Sequence, residues 1–193
     1  MKNRIITISR EFGSGGRTIG KHVAEKLGVP CYDSEIIEKI AQQSGFTEWY
    51  IKNSDESSPS GFAGSLFTGN RSFGPTNEDY IWEIQRKVIL NIAEKGPCVI
   101  VGRCADYILK DKADCLRVFI HAEETYRADR IVKIYGERTE TPMERIRDKD
   151  KRRAAYHRFY TSMRWGDAKN YDIALDSGRI GIDKCVDILL DIY

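Results

Sequence analysis

SREFGSGGRTIG, residues 9–20, follows directly on RIITI, residues 4–8. The apolar, β-branched run reads as a strand. The segment behind the glycines, RTIGKHVAEKLG (17–28), has helical periodicity through Ile19, Val23, Ala24 and Leu27, with Gly28 as C-cap. A glycine-rich loop between a strand and a helix is the setting of a phosphate cradle, GxxxxGK[ST]. Aligned on its last residues, the loop reads Glu11-Phe12-Gly13-Ser14-Gly15-Gly16-Arg17-Thr18. Its glycines let consecutive amides turn onto phosphate oxygens, and the helix start adds the positive end of its dipole. Arg17 stands where such loops carry lysine. The charge is kept, but a planar fork replaces a compact point charge. Glu11 stands at the first glycine position, where a carboxylate repels a triphosphate unless it points away or holds a metal. The bland alternative is a glycine turn used only for packing.

Outward from the loop, the chain alternates short apolar strands with helices. Further strands are expected at 29–33, 98–102, 115–122 and 171–177. Further helices are expected at 34–45, 78–95, 123–136, roughly 142–164, and 181–193. This alternation predicts an α/β fold with a parallel sheet covered by helices on both faces. Ligands of such sheets bind at the carboxyl ends of the strands. Three of those ends carry suggestive residues: Ser9 onward, Asp33, and Gly102-Arg103. Residues 53–77 break the pattern with six serines, four glycines and two prolines. They read as a long loop, in which Phe62, Phe67 and Phe73 either pack on the domain or serve a closed state.

The 193 residues suggest one domain, 1–193, with inserted lids. Lys and Arg number 31 against 29 Asp and Glu, too balanced for a general nucleic-acid binder. No apolar run is long enough to span a bilayer, and MKNRIITIS does not read as a signal peptide. The expectation is a cytoplasmic protein. Five scattered cysteines without a CxxC pair read as reduced thiols, and no ligand spacing suggests zinc. Locally the balance shifts: residues 144–164 hold eight Lys/Arg against three Asp/Glu. That segment is a lid over phosphate, a solvated basic face, or a nucleic-acid patch with Tyr156, Phe159 and Tyr160 interleaved. His157 within it reads as a surface or packing histidine. Trp49, Trp82 and Trp165 read as core or lid packing, and Asp172 and Asp176 as caps or turn residues.

YDSEII (32–37), VIVGR (99–103), FIHAEETYRADRI (119–131) and RDKDKRR...YDIALDS (147–177) occur in the order found in nucleoside monophosphate kinases. With the SREFGSGG loop, the chain resembles the cytidylate kinase-like family over nearly its whole length. The resemblance implies the three-layer P-loop kinase fold, with an acceptor-binding insert at about 34–77 and a basic lid at about 141–166. It implies ATP and Mg²⁺ as cofactors, small-molecule nucleotides as partners, and transfer of the γ-phosphoryl to an acceptor, CMP or dCMP first. Gly13, Ser14, Gly15, Gly16, Arg17 and Thr18 would bind ATP, with the Thr18 hydroxyl on the metal. Asp33 would position the acceptor, and Arg103 would pair with its phosphate. Arg147 and Arg153 would close over the transferring phosphoryl alongside Arg17 and Arg103, while Arg127 and Arg130 match arginines of the preceding family helix. Phosphoryl transfer needs positioning and cations rather than a nucleophile, so the lack of a Ser/His/Asp set is consistent. Val101 stands where cytidylate kinases carry aspartate. Two alternatives stay open: a nucleotide-binding regulator without kinase activity, and a kinase of another small metabolite.

Overall fold

The computed structural model describes residues 4–51, 76–112 and 114–193. Strand β1 (Arg4–Arg10) is the centre of a five-stranded sheet of order β2-β3-β1-β4-β5. The other strands are β2 (Cys31–Tyr32), β3 (Cys98–Val101), β4 (Asp114–His121) and β5 (Ile173–Asp176). Every pairing is parallel. Between and after them run α1 (Gly16–Leu27), α2 (Ser34–Ser44), α3 (Asn77–Glu94), α4 (Ala105–Leu109), α5 (Glu124–Tyr135), α6 (Pro142–Thr161), α7 (Ser177–Ile180) and α8 (Ile182–Asp191).

Alternation along the strands divides the core in two. Ile5 and Ile100 face a cluster with Ile36, Ile40, Ile89 and Leu109, under α2, α3 and α4. Ile6, Ile8, Val99 and Val101 face the opposite cluster with Ile19, Val23 and Leu189, under α1 and α8. A sheet buried on both faces has strands that are apolar throughout, and all four residues of β3 are buried. The expected α/β layering is therefore present. From β1 the chain leaves toward β2, whereas from β3 it crosses to β4 on the other side. The ends of β1 and β3 thus flank a topological switch point, where a crevice opens.

Several boundaries differ from expectation for local reasons. Strand β2 is confined to Cys31–Tyr32, because the Val29 amide is spent on the Ala24 carbonyl at the end of α1. Helix α6 starts as expected, with Pro142 in its first turn and a capping box between Thr141 and Glu144. It ends at Thr161, short of 164, because Ser162 turns left-handed at φ 57°. Strand β5 stops at Asp176, whose carboxylate caps α7 through the Gly178 and Arg179 amides. Helix α4, only five residues long, was not expected. Trp49 does not pack in the core or a lid: its residue is 73% exposed, and Ile51 takes the buried place instead. The rings of Phe62, Phe67 and Phe73, and the acceptor segment from 52 to 75, lie outside the described residues. Among the described residues no helix is long and apolar enough to cross a membrane.

Candidate active site

The glycine loop joins β1 to α1 with Gly13 and Gly15 both left-handed, at φ 84° and 85°. A side chain at Gly13 would also meet the Arg127 carbonyl at 2.9 Å. The first-turn amides of α1, on Gly16, Arg17 and Thr18, have no carbonyl one turn earlier within the helix, the condition that suits them to phosphate. Ser14 is buried, its hydroxyl lying 2.9 Å from the Glu11 carbonyl and 3.1 Å from that of Ile120. Its amide lies 3.3 Å from the same Glu11 carbonyl and its own carbonyl accepts from Ser177 Oγ, so the residue braces the loop from inside and does not line the groove.

Glu11 points away from the loop. Its carboxylate accepts from the Ala122 amide at 3.1 Å and lies 3.4 Å from Arg127 Nε. Burial raises its pKa, with the Ala122 bond and the Arg127 charge opposing. The residue at the first glycine position is thus a brace between the loop and the end of β4. Arg127 is the hub of that brace. Its buried guanidinium donates to the carbonyls of Ala122 and Phe12, and Nη1 lies 2.5 Å from Asp150 Oδ2 on α6. Asp150 Oδ1 in turn accepts the Phe12 amide at 2.7 Å. Arg153, one turn along α6, donates to the Arg10 carbonyl at 3.1 Å and lies over the Phe12 ring at 5.5 Å. The basic helix is docked on the glycine loop through an acid and a base.

Across the crevice, β3 ends in three consecutive left-handed residues, Gly102 (φ 79°), Arg103 (φ 60°) and Cys104 (φ 53°). Two of them are not glycine, a cost seen where a site holds its shape. The turn is pinned by the Gly102 amide on the Ile8 carbonyl and by Gln85 Nε2 on the Arg103 carbonyl. It presents Arg103 to a cavity of about 200 Å³ that Asp33, Arg153 and His157 also line. A larger open groove adjoins it along the glycine loop, lined by Gly13, Gly15, Gly16, Arg17, Thr18 and Arg130. Asp33 and Arg153 border both.

The residues anticipated from sequence fall into three groups. Gly13, Gly15, Gly16, Arg17 and Thr18 line the groove, whereas Ser14 is buried beneath it. Arg17 and Asp33 are brought into an ion pair, and Thr18 Oγ1 accepts from Arg130 Nη2 at 2.9 Å. Arg103 and Arg153 meet at the smaller cavity. Arg147 lines neither space: it lies on the outer surface of α6, paired with Glu124. Asp172 is exposed and pairs with Arg117 at 2.7 Å, and this hydrogen-bonded pairing lowers its pKa. His157 packs, but as a buried polar residue: Nε2 lies 3.2 Å from Asp106 Oδ2. Trp82 stacks on Tyr160, and Trp165 meets Phe119 edge-on.

The family model of the cytidylate kinase-like family matches residues 5–179. The chain belongs to that family. It is a nucleotide or small-molecule kinase by family. Its sequence is 31% identical to a cytidylate kinase of Archaeoglobus fulgidus, over 96% of this chain and 92% of that one. A cytidylate kinase of Methanothrix thermoacetophila is 27% identical, over 91% and 89% of the two chains. Among solved structures, an uncharacterized protein from Eubacterium ventriosum superimposes with a TM-score of 0.72 at 29% identity, over 97% of this chain and 96% of that one. Shikimate kinase from Acinetobacter baumannii shares the fold at a TM-score of 0.51 and 16% identity, over 100% and 93% of the chains.

In this cytidylate kinase-like chain, sequence reasoning passed over two residues at the site. Asp106 sits in a helix too short for periodicity to reveal. Arg10 was taken as part of the loop and given no role of its own, although it lines both the groove and the cavity. Asp150 was singled out with Arg147, Asp148 and Arg153 as part of the lid pattern that the resemblance implies, and only the fold puts it on the Phe12 amide. For Arg10 a signal existed: it precedes the loop directly, at the carboxyl end of a strand, where ligands of parallel sheets gather.

Proposed function

We propose that the chain is an ATP-dependent kinase of a nucleoside monophosphate, with CMP or dCMP as acceptor. The observation carrying this reading is the junction of two spaces, a glycine-loop groove and an arginine-lined cavity, with Asp33 and Arg153 on both. In this reading the triphosphate lies along Gly13 to Thr18, and the acceptor phosphate pairs with Arg103 in the cavity. Bidentate guanidinium contacts suit phosphate. The whole chain, 1–193, acts as one kinase domain, with the acceptor segment at 34–77 and α6 as the lid. Arg17 and Asp33 hold each other before ligands arrive, so ATP and acceptor each draw one partner away.

Among the described residues no cluster of three His, Cys, Asp or Glu side chains is gathered to hold a metal. That donor chemistry fits a magnesium ion carried mainly by phosphate oxygens and water, for which the protein supplies one or two ligands. Thr18 would be one such ligand, and the ion would neutralise charge on the triphosphate.

The test is ADP release over a panel of nucleoside monophosphates, with small hydroxy acids and sugars beside them. The expected result is turnover with CMP or dCMP above all others. Preference for a hydroxy acid or sugar would replace the acceptor assignment. ATP binding without turnover on any acceptor would instead make the chain a nucleotide-binding regulator.

A further inference from the structure

Arg10 occupies a path that two other elements leave open. A Cβ on Gly16, the first residue of α1, would lie 2.6 Å from Arg10 Cβ and 2.9 Å from its Cγ. A Cβ on Gly102, in the turn after β3, would lie 2.2 Å from Arg10 Nη1. The stem therefore lies over the start of the donor-side helix, and the guanidinium lies against the acceptor-side turn. Its backbone is held as well: the Arg10 carbonyl accepts from Arg153 Nη1 at 3.1 Å. Arg10 borders both the glycine-loop groove and the smaller cavity.

Arg17, which stands in the lysine position of the loop, is paired with Asp33 in the structure. Resting on the kinase reading above, we infer that Arg10 is a catalytic residue whose guanidinium contacts the phosphoryl group as it passes from donor to acceptor. In that step an anionic oxygen of the acceptor phosphate bonds to the γ-phosphorus of ATP. The bond from that phosphorus to the β–γ bridging oxygen breaks, and its electron pair leaves with ADP. No proton has to move, because the attacking oxygen is already ionised. The charge spreads over the three equatorial oxygens of the group in flight, where a fixed planar cation is most useful. The path between Gly16 and Gly102 fixes that cation before substrates bind, which is the condition for electrostatic preorganisation.

The experiment compares wild type with Arg10→Met, which keeps the stem and removes the charge, and with Arg10→Lys, which keeps the charge and removes the planar fork. Arg10→Met is expected to lower kcat roughly 100-fold or more, the scale of removing one transition-state donor. KM for ATP should change by less than about threefold, because the contact belongs to transfer rather than to ground-state binding. Millimolar guanidinium should restore part of the activity of Arg10→Met and none to wild type, a readout that a packing role would not give. Arg10→Lys is expected to fall between the two, and it serves as the test variant if Arg10→Met does not fold. A second readout uses MgADP, aluminium fluoride and CMP, followed by ¹⁹F NMR: wild type traps the complex and the folded variants do not. A folded variant that turns over CMP, or traps aluminium fluoride, as well as wild type overturns the inference. No turnover by wild type on any acceptor refutes the kinase reading instead, and is recognised by being independent of Arg10.

Discussion

His157 Nε2 on α6 lies 3.2 Å from Asp106 Oδ2 on α4, with the two side chains only 4% and 2% exposed. The neighbours of the pair hold the ring on its other side. Thr161 has one hydroxyl proton, and it goes to the His157 carbonyl at 2.6 Å. Thr161 Oγ1 and the Met163 carbonyl, at 3.1 and 3.4 Å, are then both acceptors toward Nδ1, so Nδ1 carries a proton. Nε2 faces the Asp106 carboxylate, whose other oxygen accepts from Ser9 at 3.3 Å. The pair ties α6 to the turn that presents Arg103.

Asp106→Asn should preserve this link. The amide nitrogen can donate to Nε2 while the amide oxygen still accepts from Ser9. Asp106→Ala leaves a buried imidazole without its partner, a cost of about 1–3 kcal/mol. Thermal denaturation should place the asparagine variant near wild type and the alanine variant at least about 2 °C below it. Equal melting temperatures for the two would refute the link. If the link positions the cavity arginines, the alanine variant also raises the acceptor KM more than the ATP KM.

Asp150 is the acid that docks α6 on the glycine loop. Asp150→Ala leaves the Phe12 amide without its acceptor and the Arg127 guanidinium, 5% exposed, with Glu11 as its other carboxylate. Removing one partner of a buried hydrogen bond costs about 1–3 kcal/mol. Urea unfolding should show a lower midpoint with an unchanged slope. A midpoint equal to wild type would mean that the pair contributes nothing.

Arg153 and Arg147 lie on the same basic helix in different settings. Arg153 borders both spaces, whereas the Arg147 side chain is 67% exposed and pairs with Glu124 on the surface. Arg153→Ala should lower kcat/KM at least about tenfold, and Arg147→Ala by less than about threefold. Steady-state kinetics of the two variants would decide, and the reverse order would return Arg147 to the transfer step.

Burial pushes the thiols of Cys115 and Cys185 up to about 11 and that of Cys98 up to about 12. Folding thus favours the neutral thiol. The stabilisation is complete below the ordinary thiol value and fades as pH rises through the raised ones. At pH 8 these cysteines should react with an aromatic disulfide far more slowly in the native protein than in guanidinium chloride. Similar rates in the two states, followed by peptide mapping, would contradict their burial.

Local signals made the scaffold legible. The run of RIITI into glycines, the alternation of strands and helices, and the Gly28 end of α1 are all short-range features. The lining of the groove and cavity was legible where a loop carries it, as at Gly13, Gly15 to Thr18 and Arg103. It was not legible where distant segments decide a side chain's meaning. Glu11 looked misplaced because its partner, the Ala122 amide, lies 111 residues away. His157 looked peripheral in a charged helix because Asp106, which makes it an interior residue, lies on another element. Arg17 and Asp33 were both singled out, yet nothing in their spacing announced that they pair with each other.

The emptiness at Gly16 and Gly102 has a use beyond this molecule. An arginine at the end of the first strand, with no side chain at either of two positions on separate elements, is a three-letter pattern that any related chain can be scanned for. A relative that keeps the sheet but places even a methyl group at the Gly102 position closes the corridor, and its arginine has to lie elsewhere. The pattern therefore sorts chains that share this fold into those able to route an arginine between the two sites and those that must supply the cation from another direction.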